Sequence, residues 1–124
     1  MKVAGIGFRK AAPLSALSEA LALAEAASGG GPVTALATQA GKAGAAVIRS
    51  LGEARGLPVL GVSVAGVATP HESGRVQARF GTGSVAEAAA LAAAGSGAWL
   101  AVGRVVSTDG MATAAIAVGP EGGT

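Results

Sequence analysis

Lys2-Val3-Ala4-Gly5-Ile6-Gly7-Phe8, followed by Arg9-Lys10 and then by Leu14, Leu17, Leu21 and Ala24, is the stretch that decides the fold. Residues Lys2 to Phe8 are a short apolar run with β-branched members, the pattern of a buried strand. The leucines after Pro13 recur at helical spacing. Pro13 suits the first turn of that helix, and Gly29-Gly30-Gly31-Pro32 ends it. A buried strand running directly into an amphipathic helix is the opening half of a βαβ unit.

The rest of the chain continues the alternation. Val33 to Thr38 reads as a second strand, and a second helix is expected from about Lys42 to Glu53, with Val47, Ile48 and Leu51 facing inward. Gly56-Leu57-Pro58 precedes a third strand, Val59 to Val64. The polar stretch Thr69 to Arg79 reads as a loop, or a loop with a short edge strand around Val76. Gly81-Thr82-Gly83-Ser84 introduces a third helix, where Ser84 and Glu87 fit the capping box; Gly95-Ser96-Gly97 ends it. Trp99 to Val102 and Ala112 to Val118 are strands joined through the turn sequence Ser107-Thr108-Asp109-Gly110. That turn is too short for a parallel crossover, so the last two strands are antiparallel. The expected fold is a single three-layer α/β/α domain over residues 1–119 with a mixed, largely parallel sheet, and a flexible tail at 120–124.

Composition excludes several classes of function. Of 124 residues, 51% are hydrophobic and 13% charged, and glycine alone supplies 21, so the core is built from small side chains. Without cysteine there is no disulfide framework, thiolate nucleophile or thiolate metal ligand. One histidine, His71, and one aspartate, Asp109, leave little material for a metal cluster. Phe8, Phe80 and Trp99 are too few for a base-stacking platform, and the nine Lys and Arg are scattered rather than striped. Nucleic acid is therefore not an expected partner, and a small anion is. No uncharged stretch is longer than Ala88 to Gly103, which is shorter than a spanning helix, and Arg9-Lys10 interrupts any signal-peptide core. A cytoplasmic protein without membrane contact is the expectation.

Familiar motifs fail on inspection. A dinucleotide fingerprint beginning at Gly5-Ile6-Gly7 needs a third glycine where Lys10 stands. Gly41-Lys42 resembles the end of a P-loop, but Leu36 occupies the place of the upstream glycine and Ala43 that of the magnesium-binding Ser or Thr. No serine sits in a nucleophile elbow to complete a triad with His71 and Asp109. His71-Glu72 supplies two ligands, fewer than a specific metal site requires. No residue is assigned a catalytic role on these grounds, and no metal or organic cofactor is expected.

Position is more informative than motif. Arg9 and Lys10 follow the first strand, Lys42 the second, and Arg75 and Arg79 flank the loop after the third, ahead of the Thr82-Gly83-Ser84 helix start. In a parallel sheet these points share the carboxyl edge, where open α/β folds bind ligands. Several cations beside a helix N-terminus suit a molecule with multiple carboxylates or phosphates. Solubilising an apolar surface is the competing explanation for the same charges.

The chain resembles the CobE proteins and the C-terminal domain of CbiG, both of cobalamin (vitamin B12) biosynthesis. Gly5-Ile6-Gly7-Phe8-Arg9-Lys10 resembles the family's G-I-G-C-R-K start, and Ala37-Thr38 with Lys42-Ala43 its A-T and K-A segment. Gly83-Ser84-Val85-Ala86-Glu87-Ala88-Ala89-Ala90-Leu91 resembles its S-V-A-E-A-A-A-L helix, and Ala112 to Ala117 its closing strand. Phe8 stands where the family often has Cys, so no thiol chemistry carries over, and Arg104 stands where many members have Lys. The stand-alone CobE type is the closer resemblance. Together with the charge argument, the resemblance implies that Gly7, Arg9, Lys10, Thr38, Lys42, Gly83, Ser84 and Glu87 bind the ligand.

Two readings follow from the resemblance. The first is an accessory or carrier protein of the aerobic cobalamin pathway that binds a polycarboxylate precorrin. The second is an enzyme acting on a corrinoid intermediate by CbiG-like lactone hydrolysis or rearrangement, with His71 and Glu72 as acid or base. A non-catalytic interaction domain for another pathway enzyme is a third class, and a homo-oligomer is compatible with each.

Overall fold

The computed structural model describes residues 1–29, 32–63 and 84–119. Strand β1, Lys2–Phe8, leads into helix α1, Leu14–Ala27. Strand β2, Ala35–Gln39, is followed by helix α2, Ala46–Arg55, and strand β3, Val59–Val62. Helix α3, Val85–Ala94, then precedes the hairpin of β4, Trp99–Val106, and β5, Ala112–Val118. The sheet order is β3-β2-β1-β5-β4. β1, β2 and β3 are parallel neighbours, while β5 pairs antiparallel with both β1 and β4. β4 therefore runs with the first three strands and β5 alone against them: a mixed, largely parallel sheet in an α/β domain.

Alternation along β1 divides the core. Ala4, Ile6 and Phe8 join Leu17, Leu21, Ile48 and Leu51 on the face covered by α1 and α2. Val3 lies on the opposite face with Ala37, Ala117 and the alanines of α3. Successive strand residues point to opposite faces, so one buried strand serves both halves of the core. α3 approaches the sheet closely where its alanines meet Gly5 of β1. An added Cβ at Gly5 would penetrate the Ala86 carbonyl oxygen and lie 2.7 Å from Ala90 N.

Several element boundaries depart from the sequence expectation: β2 is Ala35–Gln39 rather than Val33 to Thr38, β3 ends at Val62, and two departures are larger. The helix expected from about Lys42 is split into a 3₁₀ turn, Ala40–Lys42, and α2 beginning at Ala46. The Gln39 side chain accepts a hydrogen bond from Gly41 N at 2.8 Å, which closes the turn, and Gly44 follows it. Glycines at both places weaken continuous helix. The strand expected to end at Val102 runs on to Val106 through register irregularities against β5. The edge strand expected around Val76 falls outside the described residues.

Candidate functional site

The carboxyl ends of β1 and β2, the N-termini of α2 and α3 and the β4–β5 turn surround a cleft of about 890 Å³. α1 and α2 lie on one face of the sheet and α3 on the other, so the connections diverge around this edge, the usual place for a ligand crevice in an open sheet. Gly7, Arg9, Lys10, Lys42 and Ser84 all line the cleft. The structure thus brings together five of the eight residues singled out from the sequence. Gly83 lies outside the described residues, as do His71, Glu72, Arg75 and Arg79.

Each lining residue has a local reason for its place. Arg9 and Lys10 are exposed where β1 ends, with Arg9 N donating to Met111 O at 2.9 Å and so tying the β1 end to the hairpin. Lys42 is carried by the 3₁₀ turn after β2. Its Nζ donates to the Phe8 carbonyl oxygen and lies 4.8 Å from the centroid of the Phe8 ring. Register pairing between β1 and β2 ends at Gly5 and Ala37. Lys42 bridges the strands beyond that point, satisfying a carbonyl while its ammonium lies over an aromatic face.

Ser84 caps α3: its Oγ accepts from Glu87 N at 3.3 Å. This is one arm of the capping box expected from the sequence. Ser84→Ala should lower stability by about 1 kcal/mol, as loss of an N-cap commonly does. A chemical melt checks it; a midpoint unchanged from the parent would show that the 3.3 Å bond contributes little.

Thr38 and Glu87 lie in the protein interior. Both are fully buried, and neither lines the cleft. Among the described residues the Thr38 hydroxyl has no hydrogen-bond partner, an unfavourable state for a buried polar group. Thr38→Val should therefore raise stability by about 1 kcal/mol, since it removes that buried hydroxyl and retains the branched shape. Thermal unfolding of the variant checks this, and a lowered midpoint would mean that the hydroxyl finds a partner in solution. The Glu87 carboxylate accepts from Arg104 N at 3.0 Å through Oε2.

Arg104, Gln39, Thr113 and the Gly110-Met111 turn also line the cleft. In the sequence Arg104 is marked only by its departure from the family's lysine. A lone charge after Gly103, between Val102 and Val105, was the available signal, because glycine within a strand often marks a bulge. The turn is held by Asp109, which accepts from Ser107 Oγ at 2.6 Å and Met111 N at 2.9 Å. These bonds, Ser107 first, hold the exposed Asp109 carboxyl below the ordinary aspartate value. Thr108 donates to Glu19 through both its backbone N and its hydroxyl, anchoring the turn to α1.

The charged groups among the described lining residues are Arg9, Lys10, Lys42 and Arg104, and no Asp, Glu or His is among those lining residues. No group of metal-ligating side chains occurs among the described residues, and none of their helices is long and apolar enough to cross a membrane.

The molecule is an open-sheet α/β domain with a cationic cleft at its carboxyl edge. The sequence model of the family described as Cobalamin synthesis G C-terminus matches residues 2–117, and the chain belongs to that family. It is similar in structure to CobE, a protein from the cobalamin (vitamin B12) biosynthetic pathway, with 27% identity and a TM-score of 0.83 over 94% of this chain and 92% of that one. It is also similar to cobalamin biosynthesis protein chiG from Agrobacterium tumefaciens str. C58, with 36% identity and a TM-score of 0.74 over 98% of this chain and 100% of that one. No curated protein matches the chain. These relationships assign it a role in cobalamin biosynthesis.

Proposed function

We propose that the domain binds a precorrin-type polycarboxylate in the cleft and serves as an accessory or carrier protein of the aerobic cobalamin pathway. The observation that carries this reading is the charge pattern: four cations and no carboxylate among the described lining residues. Precorrins bear acetate and propionate groups around a large, partly apolar ring. Arginine pairs with carboxylates bidentately and lysine acts as a point charge, so the mixed set suits an array of carboxylates at several angles. Phe8, Ala45, Ala46, Val47 and Met111 supply apolar surface for the ring. The volume is in the upper part of the range for small-molecule sites, about 300–1,000 Å³.

One helix start reinforces the positive field. α2 follows Ala45 without a side-chain cap or an acidic residue in its first turn, whereas the first turn of α3 holds Glu87. The α2 N-terminus presents backbone N–H groups and the positive end of a helix dipole to the cleft.

Fluorescence titration with uroporphyrin, a stable tetrapyrrole bearing acetate and propionate carboxylates, tests the proposal against uroporphyrin methyl ester. The free acid should bind at least tenfold more tightly, with an affinity that falls as salt is raised. Equal affinity for acid and ester would remove the carboxylate argument. Turnover of a precorrin by the purified protein would replace the carrier reading with the enzymatic one.

A further inference from the structure

We propose that Glu87 is a positioning residue whose buried carboxylate holds a bulge in β4 and thereby aims the Arg104 guanidinium into the cleft to recognise a ligand carboxylate. This rests on the polycarboxylate reading of the cleft and assigns one of its contacts.

The register of the hairpin carries the argument. Val102 pairs with Ile116, but the next pairs are Val105 with Ala114 and Val106 with Thr113. Gly103 and Arg104 therefore stand against Ala115 alone, the count that defines a β-bulge. Face parity says the same. Val102 and Val105 both belong to the core on the α1 side, although residues an odd number of places apart in a regular strand face opposite ways. The extra residue resets the alternation between them. In a regular strand Arg104 would share the face of Val102; the bulge releases it from that face, and it lines the cleft with Ser84, Val85 and Thr113.

A bulge interrupts the regular ladder, and its unpaired groups need other partners. The Arg104 N–H donates to the Glu87 carboxylate at 3.0 Å. Glu87 is fully buried in a helix whose neighbouring positions, Ala86, Ala88, Ala89 and Ala90, are also fully buried. Alanine would satisfy packing there, and an enclosed carboxylate is costly unless it is well bonded. Its place in the first turn of α3 partly offsets that cost, because the helix N-terminus favours negative charge. Glu87 thus couples the start of α3 to the bulge, two of the walls between which a ligand would sit. Bulges beside functional sites commonly re-aim a side chain in this way.

A double-mutant cycle read by uroporphyrin titration tests the assignment. Arg104→Ala should weaken binding of the free acid about tenfold and leave binding of the methyl ester nearly unchanged. Glu87→Ala should give a comparable loss in the parent and almost none in the Arg104→Ala background. Glu87→Gln, whose side-chain oxygen still accepts from the Arg104 N–H, should retain binding within about twofold. If Glu87→Ala fails to fold, Glu87→Asp, one methylene shorter, takes its place in the cycle with the same expectation. Independent losses that multiply in the double variant would overturn the positioning role, as would a tenfold loss in Glu87→Gln. A parent protein that does not distinguish acid from ester overturns the polycarboxylate reading itself. In that event amide hydrogen exchange decides the bulge anchor alone: selective loss of protection at Arg104 in Glu87→Ala supports it, and unchanged protection sinks it.

Discussion

Gly5→Ala should lower the melting temperature of the domain by about 10 °C or more. Gly5 lies in the central strand β1 with α3 directly against it, and a Cβ would collide with the Ala86 carbonyl oxygen and stand 2.7 Å from Ala90 N. Both are backbone atoms of a helix and cannot swing aside as a side chain can. Relief requires α3 to move off the sheet, which loosens its buried contacts with Val3, Ala37 and Ala117. Overpacking commonly costs about 1–3 kcal/mol, and rigid neighbours put this case at or above the upper end. In a domain of this size about 3 kcal/mol corresponds to roughly 10 °C. Gly44→Ala is the matching control: nothing lies within 4 Å of its added Cβ. It should be neutral or slightly stabilising because it restricts the unfolded chain. Thermal melts of the two variants side by side check the argument, and equal midpoints would show that α3 does not sit on Gly5 as closely as described.

Lys42→Ala should weaken uroporphyrin binding by about 1–3 kcal/mol, the range for a charge-assisted hydrogen bond. From the sequence alone, little change in melting temperature would be expected. The structure changes that second expectation. Lys42 Nζ donates to the Phe8 carbonyl oxygen and lies over the Phe8 ring, joining the ends of β1 and β2 where their pairing has stopped. Removing it should therefore also cost about 1 kcal/mol of stability, the order expected for a partly exposed contact of this kind. Lys42→Arg should recover part of each effect, limited by the planar fork of the guanidinium at a site built around a point charge. Titration and chemical denaturation of the same preparations separate the roles. Unchanged binding with lowered stability would make Lys42 a strut only; lowered binding with unchanged stability would show that the Phe8 contact contributes little.

The order of elements was legible because the signals for it are local. An apolar run from Lys2 to Phe8, leucines at helical spacing after Pro13 and the Ser84 cap each depend on residues a few positions apart. β1 and β5 have the expected limits, and the turn Ser107 to Gly110 closes the expected hairpin. The gathering of Arg9, Lys10, Lys42 and Ser84 was legible for a related reason. In parallel strands the chain direction determines which ends share an edge, so cations placed after successive strands converge there.

Only the tertiary structure decided what each cleft residue does. Lys42 and Phe8 are 34 positions apart, and no periodicity links a lysine to that carbonyl. Thr38 and Glu87 carry polar groups that a sequence reading assigns to a ligand, yet burial depends on which helix covers which strand. Arg104 depends most on long-range geometry. Its face is set by a bulge, and the partner of its backbone N–H is a carboxylate 17 positions away on another element. Sequence pattern determined the strands, helices and chain direction through local sterics and hydrophobic spacing. Register against β5 and the close approach of α3 determined the inward-facing charges, because both arise only when distant segments pack together.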